Sequence, residues 1–213
     1  MSRIAAVNGA SLRRAADIIR NGGLVAFPTE TYYGLAVDPW QSHALERLFQ
    51  VKRRRKELPI LVLVSGTDQL PLLAQEIPLI FKWLIERFWP GPLTLVFPAR
   101  PALSPLLTGM TGTVGLRQSP DETAHLLIRT FGGPITATSA NISGSTAAVT
   151  AEDVAQMFVD EIDLILDGGT TPGGKASTLV GSEGTSLRCL REGAIPFADV
   201  QACLAAADPV VDW

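Results

Sequence analysis

The sequence predicts an α/β chain, a mixed sheet with helices packed on it, and three observations carry that prediction. Apolar runs too short for anything but buried strands, such as Pro59–Ser65 (PILVLVS), recur between amphipathic helical stretches. Strands and helices are interspersed without strict alternation, which argues against a Rossmann fold or a TIM barrel. Two late strands, Ser177–Gly181 and Ser186–Arg191, read as an antiparallel pair around Glu183-Gly184. The 213 residues fit a single domain over 1–213 with no internal repeat or linker, and 46 % hydrophobic residues supply a large core.

Each element has its own signal. Ser11 is placed to cap a helix in which Leu12, Ala15, Ala16 and Ile19 share a face, and Asn21-Gly22-Gly23 stops it. Leu24–Phe27 is a strand. Ser42 is placed to cap a second helix that buries Leu45, Leu48 and Phe49 and runs into the bases of Lys52–Lys56. After the Pro59–Ser65 strand, Thr67–Gln75 reads as helical. Pro78 opens a helix over Leu79–Phe88, which ends at Trp89-Pro90-Gly91-Pro92. Leu93–Phe97 and Val114–Gln118 are strands. Ser119-Pro120-Asp121-Glu122 is the clearest helix start, with Ser119 as cap and Glu122 as reciprocal cap; the helix ends at Gly132-Gly133. Ile135–Thr138 is a strand, Thr150 with Asp153 starts another helix, and Asp163–Leu166 is a strand. Gly168–Gly174 (GGTTPGG) is a loop or lid, and Pro196 opens a last short helix before the tail ADPVVDW.

Composition removes several function classes. The net charge is -3, so the average is not that of a nucleic-acid binder, although five of the 18 bases stand consecutively at Lys52–Lys56. Two cysteines make no disulfide framework, no signal peptide is apparent, and no run approaches a membrane span, so a soluble cytoplasmic protein is expected. The Gly168–Gly174 loop matches neither phosphate-binding fingerprint, because Ala176 stands where a P-loop hydroxyl belongs. His43 and His125, the only histidines, lie in no metal-ligand pattern, and no GxSxG elbow is present. Two strand ends carry chemistry instead. Leu24–Asp38 (LVAFPTETYYGLAVD) runs from a buried strand into hydroxyls, a carboxylate and two phenols, and Thr136–Asn141 (TATSAN) follows a buried strand with small polar groups. Open α/β sheets bind ligands beyond such strand ends. The bases of Lys52–Lys56 suit either a helix C-terminus or oxyanions.

Taken in order, these stretches resemble the YrdC/Sua5 family, the threonylcarbamoyl-AMP synthases. PTET-x-YGL is matched by Pro28-Thr29-Glu30-Thr31-Tyr32-Tyr33-Gly34-Leu35, and K-x-R by Lys52-Arg53-Arg54. WPGP-x-T is matched by Trp89 to Thr94, and the strand ending in arginine by VGLR at Arg117. TSAN-x-SG is matched by Thr138 to Gly144, ST-[IV]-V nearly so by Ser177-Thr178-Leu179-Val180, and REG-x-I by Arg191 to Ile195. The resemblance implies a YrdC-like fold: a twisted mixed, largely parallel sheet flanked by helices around a large concave cavity. It implies that L-threonine, bicarbonate and ATP give threonylcarbamoyl-AMP and pyrophosphate, for N6-threonylcarbamoyladenosine in tRNA. It makes Lys52, Arg54, Ser139 and Asn141 catalytic, with Thr138 and Arg191 joining them around the nucleotide. Thr29, Tyr33, Arg117 and Ser177 then hold threonine. Magnesium is expected on the ATP phosphates, with no metal held by the protein. The partners implied are tRNA or double-stranded RNA and the proteins of threonylcarbamoyl transfer, with no membrane.

Within the basic run, an extended chain would turn Lys52 and Arg54 to the cavity together and Arg53 and Arg55 away. The chain also departs from the family pattern at Arg55, Leu58-Pro59-Ile60 and Leu63, after Arg117, and at Tyr32 and Ala36. The family contains YciO-type paralogues that keep the fold, so a YciO-like protein with another acceptor is one alternative, and an RNA-binding module is the other. A longer family form carries a second domain, for which 213 residues are expected to leave no room.

Overall fold

Eleven short strands fall into two mixed sheets in the computed structural model, which describes residues 3–205. The first sheet runs in the order β1 (Ile4–Ala6), β9 (Leu164–Asp167), β2 (Val25–Phe27), β3 (Gly34–Ala36), β8 (Thr138–Ser139). The second runs β11 (Ser186–Arg191), β10 (Thr178–Glu183), β5 (Leu93–Pro98), β6 (Thr113–Arg117), β4 (Val62–Leu63), β7 (Ile135–Thr136). Four pairings are parallel and five antiparallel, so the mixed α/β class holds while the single, largely parallel sheet becomes two mixed ones. The expected strand over 135–138 is where they divide. β7 pairs with β4 in one sheet, Ala137 intervenes, and β8 pairs with β3 in the other.

The helices are α1 (Gly9–Arg20), α2 (Ser42–Lys52), α3 (Leu79–Phe88), α4 (Pro105–Thr108), α5 (Glu122–Phe131), α6 (Ala151–Met157) and α7 (Phe197–Ala205), with a 3-10 turn over Thr67–Leu72. The apolar faces of α1 and α5 (Leu12, Ala15, Ile19; Ala124, Leu127, Ile128) share one core with Val25, Phe27, Leu164 and Leu166 of the first sheet. A second, larger core joins Leu45, Leu48 and Phe49 of α2 and Phe81 and Leu84 of α3 to Leu93, Leu95 and Phe97 of β5. Burying side chains of this size is worth roughly 1.5–3 kcal/mol each, and that burial holds two- and three-residue strands in place.

Three expected helix caps move. Asn8, not Ser11, caps α1; Ser11 is the reciprocal partner, three residues into the helix. Ser42 is the first residue of α2 rather than its cap. Asp121, not Ser119, caps α5 by accepting from the Ala124 amide at 2.9 Å. The capping box of Thr150 and Asp153 on α6 is as read. Of Pro59–Ser65 only Val62–Leu63 enters a ladder, and β1, β3 and α4 had no separate signal in the sequence. The tail ADPVVDW lies outside the described residues. No described helix is long and apolar enough to cross a membrane.

Candidate active site

A cavity of about 430 Å³ lies against both sheets. Thr94 and Val96 of β5, Thr113, Gly115 and Arg117 of β6, Leu179 of β10, and Leu190 and Arg191 of β11 wall it from the second sheet. Thr29 and Thr31–Gly34, leading into β3, and Ala137–Ser139 around β8 wall it from the first; Arg54 and Pro59–Leu61 complete the rim. Thus eight of the ten residues expected at the site, Thr29, Tyr33, Arg54, Arg117, Thr138, Ser139, Ser177 and Arg191, line one cavity. Lys52 and Asn141 do not line it.

Three guanidinium groups meet here. Arg117, at the end of β6, is 3 % exposed, and its Nη1 lies 3.0 Å from Glu30 Oε1. Ser119 Oγ donates to the other oxygen of Glu30, and accepts from the Asp121 amide at 3.2 Å. The Nε–H of Arg117 is buried and has no hydrogen-bond partner among the described residues. Arg54 donates to the Pro59 carbonyl at 2.9 Å, and Arg191 to the Ser177 carbonyl at 2.8 Å. Burial lowers the Arg54 and Arg117 pKa values, and the Arg191 charge lowers both further; only Glu30 acts on Arg117 in the opposite sense. Three like charges are thus gathered against one carboxylate, an arrangement that an anion relieves. Gly193 allows close approach to the Ala176–Thr178 backbone: a Cβ there would collide with the Ala176 carbonyl.

Hydroxyls fill the space between the cations. Thr94 Oγ1 and Ser177 Oγ are 2.8 Å apart, and Thr29 Oγ1 lies 3.2 Å from Thr31 Oγ1 while donating to the Tyr32 carbonyl at 2.7 Å. Tyr33 is fully buried, donates to the Gly169 carbonyl at 2.7 Å, and is pushed up to about 12, chiefly by burial, so it stays protonated. Tyr32 donates to the Gly174 carbonyl at 2.5 Å, and the Gly173 amide to the Thr31 carbonyl at 2.7 Å. Gly168–Gly174 is therefore strapped to the Thr31–Tyr33 wall. The rest of the cavity is apolar, from Ile60, Leu61, Val96 and Leu179. Sequence reading passed over Glu30, Thr31, Thr94 and Ser119 as separate groups. All but Ser119 sit inside motifs already singled out, and their position in PTET and WPGP-x-T was the signal available.

The basic run is arranged differently from the extended chain expected. Lys52 is the last residue of α2, and Arg53 takes the left-handed conformation (φ 50, ψ 42) that ends the helix. That reversal turns Arg54 to the cavity and leaves Arg53, Arg55 and Lys56 exposed. Lys52 points into the protein, donating to the carbonyls of Ser139 and, at 2.8 Å, Asn141. Burial first, and then the Arg54 charge, lower its pKa to about 7.

The Sua5/YciO/YrdC family model, described as telomere recombination, matches residues 17–193. A threonylcarbamoyl-AMP synthase of Pyrococcus abyssi is 40 % identical over 190 residues, 89 % of this chain and 56 % of that protein. One of Pseudomonas aeruginosa is 36 % identical over 170 residues, 78 % of this chain and 89 % of that protein. The chain thus spans little more than half of the archaeal relative and most of the other. Among solved structures, the Pyrococcus abyssi Sua5 complexed with L-threonine superposes with a TM-score of 0.91 at 38 % identity, covering 95 % of this chain and 61 % of that one. Escherichia coli YciO superposes at 0.82 with 21 % identity, covering 91 % and 97 %, a likeness of fold alone. With the motifs in order on one cavity and the family model covering most of the sequence, the chain belongs to the Sua5/YciO/YrdC family.

Proposed function

We propose that the chain joins L-threonine, bicarbonate and ATP into threonylcarbamoyl-AMP, with release of pyrophosphate, for threonylcarbamoyladenosine formation in tRNA. The observation that carries this reading is the convergence of Arg54, Arg117 and Arg191 on one hydroxyl-lined cavity. Each reactant brings oxyanions, and the reaction needs fixed cations and donors more than a nucleophilic side chain. The threonine amine attacks bicarbonate and gives a carbamate with loss of water. A carbamate oxygen then attacks the α-phosphorus, and pyrophosphate leaves.

Arg117 and Ser177 hold the amino-acid carboxylate, with Thr29 and Tyr33 on the threonine side; the solved relative with L-threonine supports that amino acid. Arg54 and Arg191 offset the charge on phosphate and carbamate oxygens. The apolar wall of Ile60, Leu61 and Val96 suits a flat base. Magnesium, entering on the ATP phosphates, would polarise them. Guanidinium and hydroxyl donors line the cavity, a donor set that fits the oxygens of a metal–phosphate complex. Confinement of three reactants supplies a further, entropic part of the acceleration. The exposed Arg53, Arg55 and Lys56 give any RNA contact an electrostatic, salt-sensitive character.

The test is incubation with ATP, bicarbonate and labelled L-threonine, reading pyrophosphate and the mixed anhydride. Threonine-dependent release of both is expected, and Arg54→Ala should lower it by roughly a hundredfold, as loss of an oxyanion donor does. ATP binding without threonine-dependent turnover would instead favour a YciO-like protein with another acceptor.

A further inference from the structure

The hydrogen-bond ledger of Lys52 and Asn141 is closed. A lysine ammonium has three donors, and Nζ of Lys52 gives them to the Ser139 carbonyl, the Asn141 carbonyl at 2.8 Å and Asn141 Oδ1 at 3.2 Å. Asn141 Oδ1 also accepts from Ser139 Oγ at 2.7 Å, and Nδ2 donates to the carbonyls of Ile142 at 3.1 Å and Ser145 at 2.8 Å. Both donors and both lone pairs of the amide are used. The network also fixes its orientation, since Nδ2 faces carbonyls and Oδ1 faces an ammonium. Lys52 is 1 % exposed, and its own carbonyl accepts from the Ser143 amide at 2.9 Å. Nothing in this pair is left for a ligand.

What the pair holds is the end of β8. That strand has only two residue pairs with β3, too few to fix its last side chain alone. Ser139, exposed on the cavity wall, has its hydroxyl proton committed to Asn141 Oδ1. Its oxygen then faces the cavity as an acceptor. An acceptor cannot bind a phosphate oxygen, but it suits an N–H or O–H group, such as an amino-acid amine, a carbamate N–H or a ribose hydroxyl.

We propose that Lys52 and Asn141 are positioning residues that fix Ser139 as a hydrogen-bond acceptor for an N–H or O–H group of the substrate, and that neither touches the phosphates. The inference rests on the proposed function only in taking ATP and an amino acid into this cavity.

The experiment measures ATP, adenosine and L-threonine binding by isothermal titration, and KM and kcat for ATP and threonine, in the wild type, Lys52→Met, Asn141→Ala, Ser139→Ala and the double variant Lys52→Met/Ser139→Ala. Thermal melting checks folding. Lys52→Met and Asn141→Ala should keep the ratio of ATP to adenosine affinity within about threefold, because no phosphate contact is lost. Both should lower kcat or raise the threonine KM, and the double variant should be no worse than the poorer single one, since both act through one group. A variant that merely loosens the fold would change all ligands alike and would multiply with Ser139→Ala. A drop of tenfold or more in the ATP-to-adenosine ratio, or losses that multiply, overturns the proposal; if Lys52→Met does not fold, Asn141→Ala decides alone by the same ratio. A wild type that binds ATP over adenosine but makes no product removes the proposed function and leaves this inference standing. A wild type that does not distinguish ATP from adenosine removes both.

Discussion

The hydroxyl of Thr136 accepts from the Val37 amide at 2.9 Å and donates to the Leu35 carbonyl at 3.1 Å, so a side chain closes a gap in the backbone pairing of β3. Thr136 has no solvent exposure. Thr136→Val keeps the shape and leaves the buried Val37 amide unpaired, while Leu35 keeps its ladder pairing with Thr138; the expected cost is about 1–3 kcal/mol, read as a lower urea midpoint at unchanged slope. Lys52 gives a second expectation. Its pKa is about 7 in the folded chain against an ordinary 10.5, so between those values the unfolded chain binds more protons. Stability from this group therefore rises with pH from about 7 towards 10.5, and is lowest below 7 where the buried ammonium is charged. Melting temperatures across that range should rise less for Lys52→Met than for the wild type; equal slopes would contradict the assignment. At this scale the sequence was legible where a motif fixed residue type and order, as for Arg54 and Arg117. It carried no sign of the contacts that join Glu30 to Arg117 and Ser119, because pairings between positions so far apart are a product of the fold.

At the scale of elements, the Gly168–Gly174 strap was recognised as a loop or lid but its fastening was not. A phenol at 32 reaching a carbonyl at 174 has no local signature in the sequence. Tyr32→Phe removes the hydrogen bond to Gly174 while the Tyr33 contact to Gly169 remains. The expected result is faster amide hydrogen exchange confined to the strap with little change in melting temperature. Uniformly faster exchange would mean that Tyr32 supports the fold and not the strap. The helix starts show a different limit. Ser119 and Asp121 are both good cap residues, and pattern alone favoured the serine. Tertiary structure decided otherwise, because the Ser119 hydroxyl serves Glu30 and leaves Asp121 to cap α5.

For the whole molecule, the mixed α/β class could be read from spacing, but two sheets instead of one could not. Strands as short as Val62–Leu63 and Ile135–Thr136 carry no period, and their partners are set by packing. The charge arrangement leads to a global expectation. With three arginines facing one carboxylate, the cavity wall carries an excess of positive charge, and an anion with several oxygens should stabilise the entire fold. Pyrophosphate at about a hundred times its dissociation constant would contribute about 2.7 kcal/mol. The melting temperature should rise with pyrophosphate well beyond the rise with chloride at equal ionic strength, and the rise should shrink in Arg54→Ala. Equal shifts with both salts would argue against a specific anion site.

The passage of the chain from β7 to β8 through Ala137 has a consequence for how this protein can change over time. The Ala137 amide donates to the Leu61 carbonyl at 2.8 Å, and the next residues already belong to the opposite sheet. Loops elsewhere absorb insertions because their ends do not constrain one another. Here one residue is the whole allowance between two ladders of fixed register, and an added residue would turn β8 over. Thr138 and Ser139 would then exchange faces, and the cavity would lose its acceptor in the same step that misaligned the sheets. In this chain the three residues 136–138 are expected to accept neither insertion nor deletion, because both ladders fix their register.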